Sequence, residues 1–454
     1  MDNAYIKLHP IPDVKQRCPF CGLGLRVIGW CMPGMWTMAD MRCDKCTQSF
    51  WGDLPVGHAL YAPLILEQTS GDVFSRTVGL DIPLRDSYAN PSSEKVAFTV
   101  EEFRLAKKPV LLNCLDFLYG HSLLKLLNAQ GVMDAHPYLD LIVLVPPMLR
   151  WMVPDGVAAI WTIALPLRRG TEWNTWIGAE ISRRITPYQE AWISVAYPHH
   201  PCCDISRFTK QRPFPRNEWP LRLNSPRITF VWREESSRMW VRSNRFSWHW
   251  NVLKEQLHRC IRNTETSTKE DGVAKLSANH EVHYLQRLMR IYFKLRRITL
   301  TRWEIWRQRQ QMIRTFRLIR QKFPAARFSV VGFAKPESLP HWIEDLRVSR
   351  MDNATERIWC LAYADSHVVI GTHGSNMILP TAHAGSAIIL MPADRWGVFL
   401  QDTLVDAMDP RDALFHYRSL PCSVAPEDVA NNVVFLLNHQ PYFWATNHAR
   451  RLNR

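Results

Sequence analysis

At 454 residues the chain is too long for a single hydrophobic core, which predicts two or three domains. Its hydrophobic share of 46% is ordinary for a globular protein, and the lack of a long uninterrupted apolar run argues against a membrane-spanning helix. The formal net charge of +14 is typical of chains that bind nucleic acid, an anionic membrane surface or a phosphorylated ligand.

Two Cys-x-x-Cys pairs stand near the N-terminus, Cys18 with Cys21 and Cys43 with Cys46. Each pair places two thiolates on one tight turn, and two turns supply the four sulfurs of a tetrahedral Zn²⁺ site. A redox Cys-x-x-Cys pair is the alternative, but a single redox site does not need both pairs. Because four thiolates leave no coordination position open, the pattern predicts a structural zinc in a ribbon over residues 1–55.

Between residues 56 and 220 short apolar runs alternate with helical patterns, which predicts βαβ units and a parallel sheet. The composition of residues 198–226, rich in Pro and Arg, is that of a linker to the following block. The apolar runs of the first block are Val110–Cys114, Leu141–Val145 and Ala158–Leu165, and its clearest helix is Gly120–Gln130.

A second alternating block over residues 221–454 predicts another parallel sheet. Its strands are expected at Ile228–Trp232, Phe328–Gly332, Val368–Ile370 and Ala387–Met391, with helices at Ala354–Ala364 and Asn376–Ala384. Ligands of α/β sheets bind at the carboxyl ends of the strands, and two such sheets facing each other form a cleft there. The predicted fold is therefore α/β, with two Rossmann-like domains preceded by the zinc ribbon.

A strongly basic stretch, residues 287–327, contains many Arg and Lys and a single acid, Glu304. Apolar residues are interleaved at helical spacing, which predicts one or two amphipathic helices. A solvated helix face explains this pattern without a partner, and a membrane-surface or anionic-substrate patch is the alternative. Residues 1–18 lack the apolar segment of a secretory signal, so we expect a cytoplasmic protein that can touch the inner face of a membrane.

A glycine-containing turn lies between a predicted strand and a predicted helix of the second block. Its glycines let the backbone come close to a ligand, and the free N–H groups of the helix favour an anion such as a diphosphate. The histidine can donate a hydrogen bond to phosphate, and either of the last two residues can cap the helix. A simple tight turn is the alternative. The turn comprises Gly371, Thr372, His373, Gly374, Ser375 and Asn376.

Three further side chains are candidates for the same cleft. Arg233 follows the strand that opens the second block and could pair with phosphate, although most such arginines are surface charges. His121 lies at a helix start in the first block, where a neutral imidazole can act as general base for a sugar hydroxyl, with Asp116 orienting it. A histidine buried in the core for packing is the alternative. The chain has no phosphate-loop, HExxH or GxSxG motif and no convincing DxD pair, so no catalytic metal is expected.

The segment His367–Met377 resembles the "vvGpHGAgl" signature of family 61 glycosyltransferases. The segment Phe117–Leu124 is similar to the family's "nyyHwl" stretch, and Ile228–Arg233 to the strand that begins its second domain. The three landmarks occur in the family's order over about residues 109 to 400. Two departures stand out, since Ser375-Asn376 replaces the usual Ala-Gly pair and the zinc ribbon is not part of the family core.

The resemblance implies a B-type fold and an inverting transfer from a nucleotide-sugar donor to a glycan or glycoconjugate acceptor, as in polysaccharide synthesis. If the roles of the family's residues are transferred to the matching positions, Arg233 and the turn from Gly371 to Asn376 contact the donor. His121 then faces the acceptor. Glu356, on the helix before the turn, is a candidate for the ribose or base.

Two non-catalytic functions remain as alternatives. Zinc ribbons and basic helices both occur in nucleic-acid binders, but such a binder does not need two βαβ blocks with a glycine turn. The second alternative is a degenerate transferase that serves as an assembly scaffold, with the zinc ribbon as its docking module. We expect nucleic acid to be the less favoured partner.

Overall fold

Three sheets organise the described part of this computed structural model, which comprises residues 5–75, 79–198, 203–235, 239–240, 302–334, 338–404 and 410–451. The protein is a mixed α/β structure with a cluster of four cysteines near its N-terminus. Among these residues no helix is long and apolar enough to cross a membrane.

The N-terminal sheet is an antiparallel meander of five strands, and the chain segments beside its strands carry the cysteine pairs. The sheet extends to Ser75, beyond the boundary predicted at residue 55, because two further strands continue it. We call residues 16–75 the cysteine module. Its elements are β2 (Arg26–Cys31), β3 (Met38–Arg42), β4 (Ser49–Asp53), a 3-10 turn (Gly57–Leu60), β5 (Leu64–Glu67) and β6 (Val73–Ser75).

The first α/β sheet has six strands, with helices packed beside it. The strands are β1 (Tyr5–His9), β7 (Phe98–Glu102), β8 (Pro109–Asn113), β9 (Asp140–Val145), β10 (Ala159–Ile163) and β11 (Ala191–Ser194), with helices α1 (Asp81–Ala89), α2 (Tyr119–Ala135) and α3 (Thr175–Ile185) and 3-10 turns at Pro147–Met152 and Leu167–Arg169. The strand order is β1-β11-β8-β9-β10-β7. Strands β8 to β11 are parallel, and the two edge strands run antiparallel to them. All five residues of β8 are buried, as expected for a parallel strand covered on both faces.

The second α/β sheet also has six strands, and all of them are parallel. Its strands are β12 (Arg227–Trp232), β13 (Arg327–Phe333), β14 (Ile343–Val348), β15 (Val368–Thr372), β16 (Ser386–Met391) and β17 (Tyr417–Pro421), in the order β14-β13-β12-β15-β16-β17. The remaining helices are α4 (Ser206–Thr209), α5 (Trp219–Arg222), α6 (residues 302–322), α7 (Asn353–Ala364), α8 (Ile378–His383), α9 (Pro410–His416) and α10 (Pro426–Arg451), with 3-10 turns at Arg216–Glu218, Ser375–Met377 and Trp396–Val398.

Both α/β sheets reverse their strand order next to their first parallel strand. In the first sheet the reversal lies between β8 and β11, and in the second between β12 and β15. Open α/β sheets bind ligands outside the carboxyl ends of strands at such a reversal. The fold therefore points to the residues that follow these four strands.

Two segments differ from the sequence prediction, and a third, the basic stretch, agrees with it over the residues that the structure describes. Residues 203–226 are not an open linker, because Phe208 and Trp219 are fully buried within short helices. The helix predicted at Asn376–Ala384 is split into a 3-10 turn and the short α8, neither capped by a side chain. Of the basic stretch 287–327, residues 287–301 lie outside the described part, and the apolar side of α6 is buried against the second sheet through residues such as Met312.

Shared cores join the three sheets. One cluster packs Met38 and Phe50 of the cysteine module against Leu111 and Ile142 of the first α/β sheet. Another contains α2 together with residues that follow β15 in the second sheet. The cysteine module is thus continuous with the first α/β unit rather than appended to it.

Candidate functional site

The two cysteine turns have the same backbone geometry. The Gly22 N–H donates to the Cys18 carbonyl at 2.9 Å, and the Thr47 N–H donates to the Cys43 carbonyl at 2.8 Å. Both donor residues have left-handed backbones, with φ of 73° and 60°. The turns bring the four cysteine sulfurs within 4.8 Å of one another, Cys18 and Cys21 from one turn and Cys43 and Cys46 from the other. Four clustered thiols match the donor set and spacing of a structural zinc, so the site could hold this metal.

A second polar cluster surrounds Asp116, just beyond the carboxyl end of β8. The Lys125 Nζ lies 2.7 Å and the His58 Nε2 lies 2.8 Å from Asp116 Oδ2. On the other side, the His121 Nδ1 lies 3.4 Å from Asp116 Oδ1. The structure thus brings together the two residues proposed from sequence, Asp116 and His121. It adds His58 and Lys125 to them.

The charge balance of this cluster is set by Lys125, whose side chain is only 3% exposed. Burial acts to raise the pKa of Asp116, but Lys125 and the two imidazoles outweigh it and hold this pKa well below its usual value. For His58, burial is the largest effect and lowers the pKa, although the hydrogen bond to Asp116 acts in the opposite direction. His58 is therefore neutral near pH 7, next to an ionised Asp116.

The His121 Nδ1 is buried without a hydrogen-bond partner among the described residues, although it lies 3.4 Å from Asp116 Oδ1. The imidazole therefore packs against the carboxylate without a well-formed hydrogen bond to it.

At the second reversal point, Arg233 follows β12 and Asn376 follows β15. The Arg233 Nη1 donates to the Asn376 Oδ1 at 2.9 Å, and the same guanidinium pairs with Glu235. Ser375 and Asn376 are half-buried, whereas Gly371, Thr372 and Gly374 are buried. Gly374 has a φ of 149°, which side chains rarely adopt, so this turn needs a glycine.

The structure places His373 and Glu356 in contacts with other parts of the protein. His373 is 2% exposed, its Nε2 lies 3.1 Å from the Val398 carbonyl, and its Nδ1 lies 3.8 Å from Asp402. In this arrangement the ring orients the loop after β16. Glu356 is also buried and accepts hydrogen bonds from the Tyr119 hydroxyl and, at 3.1 Å, from the indole of Trp151. It joins the two α/β units instead of lining an open surface.

The backbone of Gly120 packs directly against Ser375, so the start of α2 touches the turn after β15. A Cβ placed on Gly120 would lie 2.5 Å from the Cβ of Ser375. His121 and Asn376 are the next residues on the two sides of this contact. The ends of the two sheets that carry the candidate side chains therefore meet here.

Gly120→Ala is expected to destabilise the fold by about 1–3 kcal/mol, because the added methyl overpacks the contact with Ser375. Gly131→Ala is the matched control in the same helix, where a Cβ would have no neighbour within 4 Å. The control should raise the free energy of unfolding by about 0.5–1 kcal/mol through helix propensity alone. Denaturant unfolding of both variants measures the difference, and equal effects would contradict the close contact.

Sequence reasoning missed His58 and Lys125. Lys125 lies four residues after His121 on α2, so the two share a helix face and the spacing was a readable signal. His58 carries no comparable signal, because it reaches Asp116 only through the packing of the cysteine module against the first α/β sheet.

Comparison of the chain with family models, with curated proteins and with solved structures found no match. The proposed function therefore rests on the two reversal points and on the side chains that lie at them.

Proposed function

We propose that the protein is a glycosyltransferase that moves a sugar from a nucleotide-sugar donor to a hydroxyl group of a glycan or glycoconjugate, with inversion and without a catalytic metal. In this proposal the two α/β units are Rossmann-like domains of a B-type transferase, and the cysteine module holds a structural zinc. The observation that carries it is the meeting of the two strand-order reversal points at Gly120 and Ser375.

The second α/β unit fits the donor. Its parallel order, with the first strand between the second and the fourth, is that of dinucleotide-binding sheets, whose ligands lie at the reversal point. Arg233 and Asn376 stand there in hydrogen-bond contact. The guanidinium would balance the charge of a donor diphosphate, and the turn from Gly371 to Asn376 would let its backbone approach closely.

The first α/β unit fits the acceptor. His121 would take the proton of the attacking hydroxyl, and the buried Asp116 would stabilise the imidazolium that forms. The leaving diphosphate would be stabilised by Arg233 and backbone N–H groups, which act as preorganised charges in a water-poor site. The half-exposed aromatic residues Trp396 and Phe399, on the loop that His373 orients, are available for contact with a sugar face or a base.

A thermal-shift screen with UDP, GDP, CMP and their sugars tests this proposal. A ligand at about a hundred times its dissociation constant should add roughly 2.7 kcal/mol to the free energy of unfolding. Arg233→Ala should reduce this shift, whereas Arg314→Ala, which removes a surface partner of Glu427 on α10, should leave it intact. An absence of any shift in the wild type, or an equal shift in Arg233→Ala, would contradict the donor site.

A further inference from the structure

We infer that the cysteine module completes the acceptor side of this site, with His58 as a residue that positions Asp116 and His121. The role of His58 in catalysis rests on the proposed function. The contact of the module with Asp116 does not depend on it. The sequence alone leaves the role of the ribbon open. The contacts of the module indicate that it forms one wall of the first reversal point.

Several hydrogen bonds fix the module to the first α/β unit, and three of them outline its position. The Gly57 N–H donates to the Val195 carbonyl at 2.7 Å, directly after β11. The Asn113 side chain, at the end of β8, donates to the Gly34 carbonyl at 2.9 Å. The Trp36 indole donates to the Thr171 carbonyl at 2.9 Å. Two of these bonds end on the strands that flank the reversal point, so the module covers that position.

A small cavity also lies between the module and the first α/β sheet. Residues of the module and of the sheet line it together, including Thr37, Asp53, His58, Lys125 and Ser194. The Thr37 hydroxyl is buried there without a hydrogen-bond partner in the protein. A buried hydroxyl without a partner costs free energy unless a group in the cavity bonds to it.

His58 holds Asp116 in one orientation. A carboxylate only accepts hydrogen bonds, so the His58 Nε2 must carry the hydrogen that lies between it and Asp116. Together with Lys125, this bond engages Oδ2, while Oδ1 accepts the Leu118 N–H at 3.2 Å and faces His121. The rings of His58 and His121 are also in edge contact, with centroids 4.7 Å apart. His58 therefore fixes both the carboxylate and the imidazole of the proposed base.

A metal ion bound by His58, Asp116 and His121 is the competing use of the same atoms, since their donor atoms lie within 4.8 Å of one another. The buried ammonium of Lys125, 2.7 Å from the carboxylate, opposes this use. It already neutralises Asp116, and it would repel a divalent cation at close range in a poorly solvated position.

The structural test follows the His58 Nε2 proton by NMR. In wild-type protein this proton should resonate downfield and exchange slowly, because it is held by a buried carboxylate. It should disappear in Asp116→Asn and on removal of the metal from the four cysteines, because β4 leads from the Cys43–Cys46 turn to the Gly57–Leu60 turn. His136→Gln, at the other end of α2, is the control and should retain it. Persistence of the proton after metal removal would overturn the link between module and site.

The functional test uses His58→Ala and His58→Gln. Loss of the positioning contact should lower kcat by about 100-fold in His58→Ala with donor binding unchanged, and Gln, which can also donate to Asp116, should restore part of it. A wild-type kcat in His58→Ala would refute the positioning role. If the wild type transfers no sugar, the proposed function fails, and the NMR result still decides whether the module holds Asp116.

Cobalt substitution tests whether His58, Asp116 and His121 bind a metal ion instead. One cobalt per chain with thiolate ligation supports the inference. A second cobalt that is lost in His58→Ala would show that the three residues bind a metal, and would overturn it.

Discussion

Cys43→Ser is expected to unfold the cysteine module and to remove several kcal/mol of stability from the first α/β unit. Structural zinc sites contribute roughly 10–16 kcal/mol of apparent binding free energy, which is available only while four ligands are present. The loss should not stay local, because Met38 and Phe50 of the module share one core with Leu111 and Ile142 of the adjacent sheet. Amide exchange should therefore speed up in β8 and β9 as well as in β3 and β4.

Cys31→Ser is the matched control for this prediction. Cys31 lies in the same module but outside the four-cysteine cluster, and burial raises its pKa to about 12, so it is a protonated packing residue. The control should keep one zinc per chain and a near wild-type melting temperature. If amide exchange in Cys43→Ser becomes faster only in β2–β5, the module folds as a unit separate from the first α/β sheet. Zinc content equal to that of wild type would show that Cys43 is not a ligand.

The sequence was most informative where burial and local periodicity coincide. Strands β8, β9, β12, β15 and β16 are buried apolar runs, and each was predicted to within a few residues. The two cysteine turns were also readable, because the spacing of their ligands is local. Strands β1 and β7 were not predicted, since these edge strands are only partly buried and lack a continuous apolar run.

The candidate site was predictable only in part, for the same physical reason. Asp116, His121 and Lys125 lie within one strand–helix connection, so their proximity follows from local geometry. His58 lies in a turn of the cysteine module, and it reaches Asp116 only because the module packs against the first α/β sheet. The orientation of His373 and Glu356 likewise depends on long-range contacts, with Val398 in one case and with Tyr119 in the other. Sequence spacing carries no information on such contacts.

Asp116→Asn is expected to lower the free energy of unfolding by about 3–5 kcal/mol, because it leaves the Lys125 ammonium buried without a countercharge. Lys125→Met alone leaves the Asp116 carboxylate buried without its ammonium partner, and should also be costly. The double variant removes both charges and should recover much of the loss, since a buried ion pair contributes little net stability compared with apolar packing. Denaturant unfolding of the four proteins measures this coupling, and additive single effects would show that the two groups do not interact.

The pH dependence gives an independent check with a definite sign. The pKa of folded Asp116 is held well below its usual value, whereas in the unfolded chain it is about 3.9. A carboxyl with a depressed pKa in the folded state stabilises that state fully above its unfolded pKa, and this contribution is lost as the pH falls towards the folded pKa. The stability difference between wild type and Asp116→Asn should therefore be constant above about pH 5 and shrink below about pH 4. A difference that stays constant into acid would mean that Asp116 has the same pKa in the folded and the unfolded chain, and a difference that grows in acid would mean that its folded pKa is raised; either result would contradict the stabilisation of the Asp116 carboxylate by Lys125.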